Sequence, residues 1–133
     1  MSIAKLIDLQ TIHDTRGNLT FIQNNYIKDF EFKRIYYLYD IPYKSERGGH
    51  AHKNLKQLII PLSGSFDIYL NNGFTEEKFF MSDPSKGLLI NNLVWRDIRN
   101  FSSGSVCLVL ASELYNENDY IRDFDEFINL VKK

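Results

Sequence analysis

Two histidines, His50 and His52, stand one residue apart in segment 47–53 (RGGHAHK). Residues i and i+2 of a β-strand point to the same face, so a strand here would present two imidazoles side by side. Imidazole titrates near neutral pH, which suits proton transfer or metal ligation. The third histidine of the chain, His13, is interpreted as a turn residue. The pair is therefore the leading candidate site, for either kind of chemistry.

Composition limits the classes of protein to which this chain can belong. Its 133 residues are 44% hydrophobic and 25% charged, which is typical of one globular domain covering residues 1–133. A net charge of −1 without a basic run gives no indication of nucleic-acid binding. No apolar run is long enough to span a membrane, and the first residues lack the apolar stretch of a signal peptide. The single cysteine, Cys107, fits a reducing compartment, and we expect a cytoplasmic protein.

The positioning elements are predicted to be short β-strands. Turn signals at 14–18 and 71–73 separate strand-like runs, and only residues 123–131 have apolar side chains at helical spacing. Many short strands favour an all-β sandwich or barrel with a short C-terminal helix, and a small barrel can hold one ligand. The predicted strands cover residues 3–8, 19–23, 32–39, 57–62, 64–70, 75–80, 87–90, 95–101 and 105–112.

The histidine pair also belongs to a longer pattern. His50-x-His52, followed by Gln57 and then Gly64, resembles the first cupin motif, in which glutamate usually occupies the position of Gln57. Metal-binding cupins add a third histidine from a later strand. The resemblance therefore raises the question of whether a metal ligand set is complete.

The third histidine is missing. No histidine follows His52, and Trp95 or Arg96 stands at the expected position. A divalent transition metal needs about three or four donors, and an arginine beside it would be repulsive. We therefore predict no metal and no cofactor, and favour acid–base chemistry. A metal-dependent cupin enzyme and a histidine pair without a chemical role remain the alternatives.

Four blocks carry a wider and more specific resemblance: 14–21 (DTRGNLTF), 33–38 (KRIYYL), 47–53 (RGGHAHK) and 115–124 (YNENDYIRDF). In order and spacing they resemble the family of dTDP-4-keto-6-deoxyglucose 3,4-ketoisomerases. The resemblance implies a cupin-like (jelly-roll) β-barrel without a catalytic metal, and a homodimer with an exchanged N-terminal strand. It also implies conversion of a dTDP-linked 6-deoxy-4-ketohexose to its 3-keto isomer, in the biosynthesis of sugars for surface polysaccharide.

That reaction suits the residues present. Moving a ketone to the adjacent carbon needs a base for the C3 proton and an acid for the C4 oxygen, and neutral imidazole can serve as either. The resemblance implies that His50 and His52 are the catalytic pair, assisted by a tyrosine of the strand at 34–39. We choose Tyr37 over Tyr36. The sequence leaves open which histidine removes the C3 proton and which C4 stereoisomer is formed.

The substrate's diphosphate requires cations, and arginine matches phosphate with two parallel hydrogen bonds. An aromatic side chain such as Trp95 is expected to stack on the thymine base. A non-catalytic sugar-nucleotide binding module would use the same groups, and stays an alternative. The predicted substrate-binding residues are Arg16, Arg34, Arg47, Gln57, Trp95 and Arg96.

Overall fold

Two five-stranded antiparallel sheets face each other in the computed structural model, which describes residues 3–133. The strands are β1 (Ala4–Asp8), β2 (Gln10–Asp14), β3 (Gly17–Phe21), β4 (Arg34–Leu38), β5 (Arg47–His52), β6 (Gln57–Ser63), β7 (Phe66–Asn71), β8 (Glu76–Met81), β9 (Lys86–Ile90), β10 (Trp95–Arg99), β11 (Val106–Ala111) and β12 (Tyr120–Ile121). One short 3-10 helix (Glu117–Asp119) precedes β12, and the helix α1 (Phe124–Val131) follows it.

The strand order makes one sheet from β1-β9-β6-β11-β4 and the other from β12-β5-β10-β7-β8, while β2 and β3 form a separate hairpin. Apolar side chains from both sheets meet in the interior, among them Ile59, Phe66, Leu88 and Val109. This arrangement confirms the prediction of an all-β sandwich or barrel. The predicted turns at 14–18 and 71–73 lie between β2 and β3 and between β7 and β8. The predicted strands include neither β2 nor the two-residue β12, and they also omit β5, which was considered only as the condition for placing the two histidines on one face.

The helix α1 confirms the predicted C-terminal helix. The side chain of Asp123 accepts a hydrogen bond from the backbone N–H of Asp125 (2.9 Å) and caps the first turn. Its fully buried Phe127 packs in a small apolar cluster with Ala51, Trp95 and Ile121. The helix therefore covers one face of the sheet that carries the two histidines.

A β-bulge aims the histidines into the barrel. On β10, Arg96 is opposite His50 and Asp97 is opposite Gly48, so Gly49 is the extra residue on β5. Gly48 and Gly49 have φ angles of +90° and +70°, which favour glycine. A Cβ atom on Gly48 would lie 2.8 Å from the carbonyl oxygen of Arg96. The glycines before the pair therefore let β5 approach β10 closely and set the register.

The described part of the chain contains no helix of sufficient length and apolar character to cross a membrane.

We predict that Gly48→Ala destabilises the protein more than Gly104→Ala. Both positions have positive φ, which costs a non-glycine residue about 1–2 kcal/mol. Only at Gly48 would the new Cβ also collide with backbone, whereas nothing lies within 4 Å at Gly104. Overpacking adds about 1–3 kcal/mol. Urea unfolding of both variants measures the difference, and equal losses would contradict the proposed role of the close approach.

Candidate active site

A cavity of about 290 Å³ opens between the two sheets on the face of β5 that carries His50. Its walls come from β4, β5, β6, β10, β11 and the segment that includes β12. No aspartate or glutamate lines it within residues 3–133, so its charge is positive. The lining residues are Arg34, Tyr36, Leu38, Arg47, Gly48, His50, Gln57, Ile59, Arg96, Ile98, Val109, Tyr115, Tyr120 and Arg122.

The two histidines lie together but occupy different depths. Their ring centroids are 4.8 Å apart and the rings are nearly perpendicular. His50 lines the cavity, whereas His52 is fully buried behind it. The ring of Tyr120 contacts both, with centroid distances of 5.0 Å to His50 and 4.4 Å to His52. The Nε2 atom of each histidine and the Nδ1 atom of His52 are buried without a hydrogen-bond partner among the described residues. The site thus holds three imidazole nitrogens without a hydrogen bond.

Both imidazoles are held in the neutral form at pH 7. Burial, reinforced by the nearby positive charge of Arg96, lowers the pKa of His50 to about 4. The same two causes, with a contribution from His50 itself, lower the pKa of His52 to about 2. A neutral imidazole has a free lone pair, so His50 can accept a proton from a ligand in the cavity.

A chain of hydrogen bonds links a tyrosine to a buried arginine. Gln57 Nε2 donates to the hydroxyl of Tyr36 (2.9 Å), and Arg96 Nη1 donates to Gln57 Oε1 (2.5 Å). Arg96 Nη2 donates to the carbonyl of Val94 (2.9 Å). Burial raises the pKa of Tyr36, which keeps its hydroxyl protonated, and lowers that of Arg96 to about 10, which leaves the guanidinium charged at pH 7. These hydrogen bonds therefore hold a proton donor, Tyr36, and a fixed cation, Arg96, at the cavity wall.

Two further arginines of the cavity have no carboxylate partner in the part of the chain that the structure describes: Arg34 and Arg47. Arg34 lies over the rings of Tyr36 and Tyr115, and its Nε and Nη2 atoms are buried without a hydrogen bond. Arg122, in contrast, is paired with Glu117 by two hydrogen bonds of 2.7 and 2.9 Å. Arg34 and Arg47 are thus the cations available to an anionic ligand.

The structure places three of the predicted site residues away from this cavity. Tyr37 lies on the outer face of β4 with 59% of its surface exposed, and the tyrosine of that strand that enters the cavity is Tyr36. Trp95 also points outward, because it alternates with Arg96 along β10, and it packs against Phe124 of α1 (5.3 Å). Neither prediction matches the position of the residue in the fold.

Arg16 is the third of these residues. It lies in the turn of the β2–β3 hairpin, where its side chain is 89% exposed and pairs with Asp14 at 2.8 Å. Within one chain it does not reach the cavity. The other predicted site residues, namely Arg34, Arg47, His50, Gln57 and Arg96, all line the cavity, and His52 lies directly behind it.

The residues around the histidines do not form a metal ligand set. Among residues 3–133, no group of three or more His, Cys, Asp or Glu side chains is arranged to hold a metal ion. The oxygen of Gln57 is already used by Arg96, whose positive charge lies beside both imidazoles. Two imidazoles and an amide next to a cation are a poor donor set for a dication.

Segment 115–122 supplies site residues that the sequence analysis missed. Tyr115, Tyr120 and Arg122 line the cavity, and Asp119 lies 3.3 Å from His52. This segment is part of the block 115–124 that carries the family resemblance, so the resemblance could have pointed to these residues. It is easily interpreted as an acidic lead into α1, because β12 has only two residues and shows no strand periodicity.

Comparisons with known proteins agree with this arrangement. The model of the family described as FdtA: WxcM-like, C-terminal matches residues 2–132. A TDP-4-oxo-6-deoxy-alpha-D-glucose-3,4-oxoisomerase from Aneurinibacillus thermoaerophilus is 39% identical over 129 residues, which are 97% of this chain and 93% of that protein.

Two solved structures share the fold over almost their whole length. A 3,4-ketoisomerase from Helicobacter canadensis is 45% identical with a TM-score of 0.93, covering 98% of each chain. A 3,4-ketoisomerase from Thermoanaerobacterium thermosaccharolyticum, solved as a histidine-to-asparagine mutant in complex with TDP-4-keto-6-deoxyglucose, is 41% identical with a TM-score of 0.95, covering 99% of this chain and 96% of that one. They confirm the predicted cupin-like fold and family resemblance. The chain belongs to the FdtA (WxcM-like, C-terminal) family of sugar-nucleotide ketoisomerases.

Proposed function

We propose that this protein is a 3,4-ketoisomerase that converts a TDP-linked 4-keto-6-deoxyhexose into its 3-keto isomer. The observation that carries the proposal is the cavity itself, which is lined by the neutral imidazole of His50 with its unpartnered Nε2 atom, by the hydroxyl donor of Tyr36 and by arginines without a carboxylate partner. The names of the relatives supply the substrate class: one is a TDP-4-oxo-6-deoxy-glucose oxoisomerase, and another was crystallised with TDP-4-keto-6-deoxyglucose.

His50 is the proposed proton carrier. Its imidazole removes the proton from C3 while an acid protonates the C4 oxygen, which gives an enediol. The O3 proton then leaves as C4 takes up a proton, so the net change moves one hydrogen from C3 to C4 and one from O3 to O4. Positioned acid–base catalysis of this kind is worth about 10²–10⁴ in rate. His52 is the second histidine of the proposed catalytic pair and lies behind the ring of His50.

Tyr36 takes the place that the sequence analysis gave to Tyr37. Because the Tyr36 oxygen accepts a hydrogen bond from Gln57, its own proton is free for a substrate oxygen. Arg96 is the fixed cation next to the charge that develops on the enediolate, where a buried donor needs no reorganisation. Arg34 and Arg47 are the proposed partners of the diphosphate.

A homodimer with an exchanged N-terminal segment is part of the proposal. The β2–β3 hairpin pairs with no other strand among residues 3–133 and exposes Ile12 (57%) and Leu19 (55%). Ile35 and Tyr37 are likewise exposed on β4, which is an edge strand of its sheet. A hairpin that docks on the edge of a second copy would cover both surfaces and carry Arg16 toward that copy's cavity. A cytoplasmic location and a role in surface-polysaccharide biosynthesis stay predictions.

Exchange of the C3 hydrogen tests the chemistry. In deuterated buffer with dTDP-4-keto-6-deoxyglucose, the wild type is expected to incorporate deuterium and to form the 3-keto isomer, both followed by NMR. His50→Asn should slow the exchange by about 10²–10⁴, because the base is lost. Tyr36→Phe should slow the exchange by at least about 10-fold, because the substitution leaves the ring in place but removes the hydroxyl that would donate the proton.

The matched control is Tyr43→Phe, which removes an exposed hydroxyl (87%) outside the cavity, the hairpin and β4. It should keep the wild-type exchange rate. Wild-type protein that binds the nucleotide but exchanges no hydrogen would refute the isomerase and support a binding module.

The pH dependence of the same reaction tests the state of His50. Only neutral imidazole can accept the C3 proton, so kcat/KM falls as His50 becomes protonated. Because its pKa is lowered to about 4, kcat/KM should stay level as the pH decreases from 8 to about 5, and fall only near pH 4. Circular dichroism at each pH checks that the protein stays folded. A fall centred near 6.5, the value for an ordinary histidine, would contradict the assignment.

Light scattering tests the dimer. The wild type should have twice the mass of the 15.6 kDa chain. Leu19→Asp places a charge on the exposed apolar face of the hairpin and should shift the protein toward the monomer. Phe74→Asp is the control, because Phe74 is even more exposed (72%) but lies in the β7–β8 turn. A monomeric wild type, or equal dissociation by both variants, would rule out docking through the hairpin.

A further inference from the structure

A buried carboxylate faces the deeper histidine from outside the cavity. Asp119 Oδ2 lies 3.3 Å from His52 Nδ1, and the two side chains are 9% and 0% exposed. At this distance the atoms are in contact without a well-formed hydrogen bond, which is common for catalytic pairs before a substrate binds.

The backbone around His52 holds the carboxylate in place. Asn54 N–H donates to Asp119 Oδ1 (2.8 Å) and Leu55 N–H donates to Oδ2 (3.2 Å). Lys53 N–H donates to the carbonyl oxygen of Asp119 (2.9 Å). All three donors come from the turn directly after His52. Imidazole and carboxylate are therefore tied to the same short stretch of chain and keep a fixed distance from each other.

The pairing of β12 with β5 adds a second constraint. Tyr120, the residue after Asp119, lies directly opposite His52 in the register of the two strands. Its ring is in contact with the imidazole of His52 at a centroid distance of 4.4 Å. The His52 ring is thus confined by Tyr120 on one side and by His50 on another, while Asp119 faces its Nδ1 atom.

This geometry selects one tautomer. A carboxylate only accepts hydrogen bonds, and neutral imidazole carries its proton on one of two nitrogens. With Asp119 next to Nδ1, the favoured form of His52 has its proton on Nδ1 and its lone pair on Nε2. That Nε2 atom is buried and has no partner among residues 3–133. Backbone N–H bonds to Asp119 offset the cost of burying the carboxylate.

We propose that Asp119 is a positioning residue of the isomerase, whose carboxylate orients His52 and fixes its Nδ1–H tautomer. The inference rests on the proposed function. Asp119 itself does not line the cavity, and it acts through His52. The other buried carboxylate of the described residues, Asp67, bonds to Asn100 on a different face of the sheet and has no access to the histidines.

The experiment combines ¹⁵N NMR of histidine-labelled protein with kinetics of deuterium exchange. His52 is assigned by the signal that is lost in His52→Asn. In the wild type at pH 7, its Nδ1 should be protonated and its Nε2 unprotonated. In Asp119→Asn the amide can donate to the imidazole, so the Nε2–H tautomer should appear. The variant should lose about 10²–10⁴ in kcat, with KM changed by less than about 3-fold.

The control is Asp125→Asn, which removes an exposed carboxylate on α1 and should change neither the tautomer nor kcat. An Nε2–H tautomer in the wild type overturns the inference without any variant. An Asp119→Asn protein that keeps the wild-type tautomer also overturns it, whether active or inactive. If the wild type exchanges no hydrogen, the proposed function fails, while the tautomer measurement still tests the contact between Asp119 and His52.

Discussion

The buried charge of Arg96 is the constraint around which the cavity is organised. Arg96 is 1% exposed, and its two terminal nitrogens are held by Gln57 and by the carbonyl of Val94, while Nε has no hydrogen-bond partner among the described residues. A charge taken out of water is tolerated only when hydrogen bonds replace its hydration. Those bonds fix Gln57, and through Gln57 they fix the hydroxyl of Tyr36. Burial lowers the pKa of both histidines, and the charge of Arg96 lowers it further, so one side chain fixes the position of the proposed acid and helps to keep the proposed base neutral.

This arrangement gives the cupin-like barrel a different electrostatic centre from a metal site. The histidine pair is kept, but a cation that is part of the chain lies beside it, and its hydrogen-bond partner Gln57 stands where the cupin motif usually has glutamate. A fixed monovalent cation stabilises developing negative charge without competing for the imidazole lone pairs. The lone pairs remain available for protons, which suits an isomerase that moves hydrogen and changes no oxidation state overall.

The sequence predicted the types of residue in the cavity better than it predicted their directions. His50, Gln57 and Arg96 could be found because motif spacing and one missing histidine identify them. The choice between Tyr36 and Tyr37 depends on which face of β4 is turned inward, and both faces of that strand carry aromatic side chains. Sequence alternation is uninformative in such a strand, since only the pairing with β11 fixes its orientation.

The other differences have equally physical causes. From its residue type, Trp95 was predicted to stack on the base. In the fold, Phe124 and Phe127 of α1 give it an apolar environment on the outer face of β10. Asp119 meets His52 only because β12 pairs with β5. With two residues, β12 is too short to leave a periodic pattern in the sequence. Arg16 lies on a hairpin that pairs with no other strand of the described residues, and only the proposed dimer would bring it to a cavity, so no argument from a single chain places it.

The neutral histidines also have a consequence for the tolerance of the fold to acid. In the unfolded chain each histidine has its ordinary pKa near 6.5, whereas in the folded protein the pKa of His50 is about 4 and that of His52 about 2. Below pH 6.5 the unfolded chain therefore binds protons that the folded chain excludes. Proton linkage then favours unfolding progressively as the pH falls toward 4. The burial that keeps a base ready for catalysis at neutral pH thus sets an acid limit on the stability of the barrel that contains it.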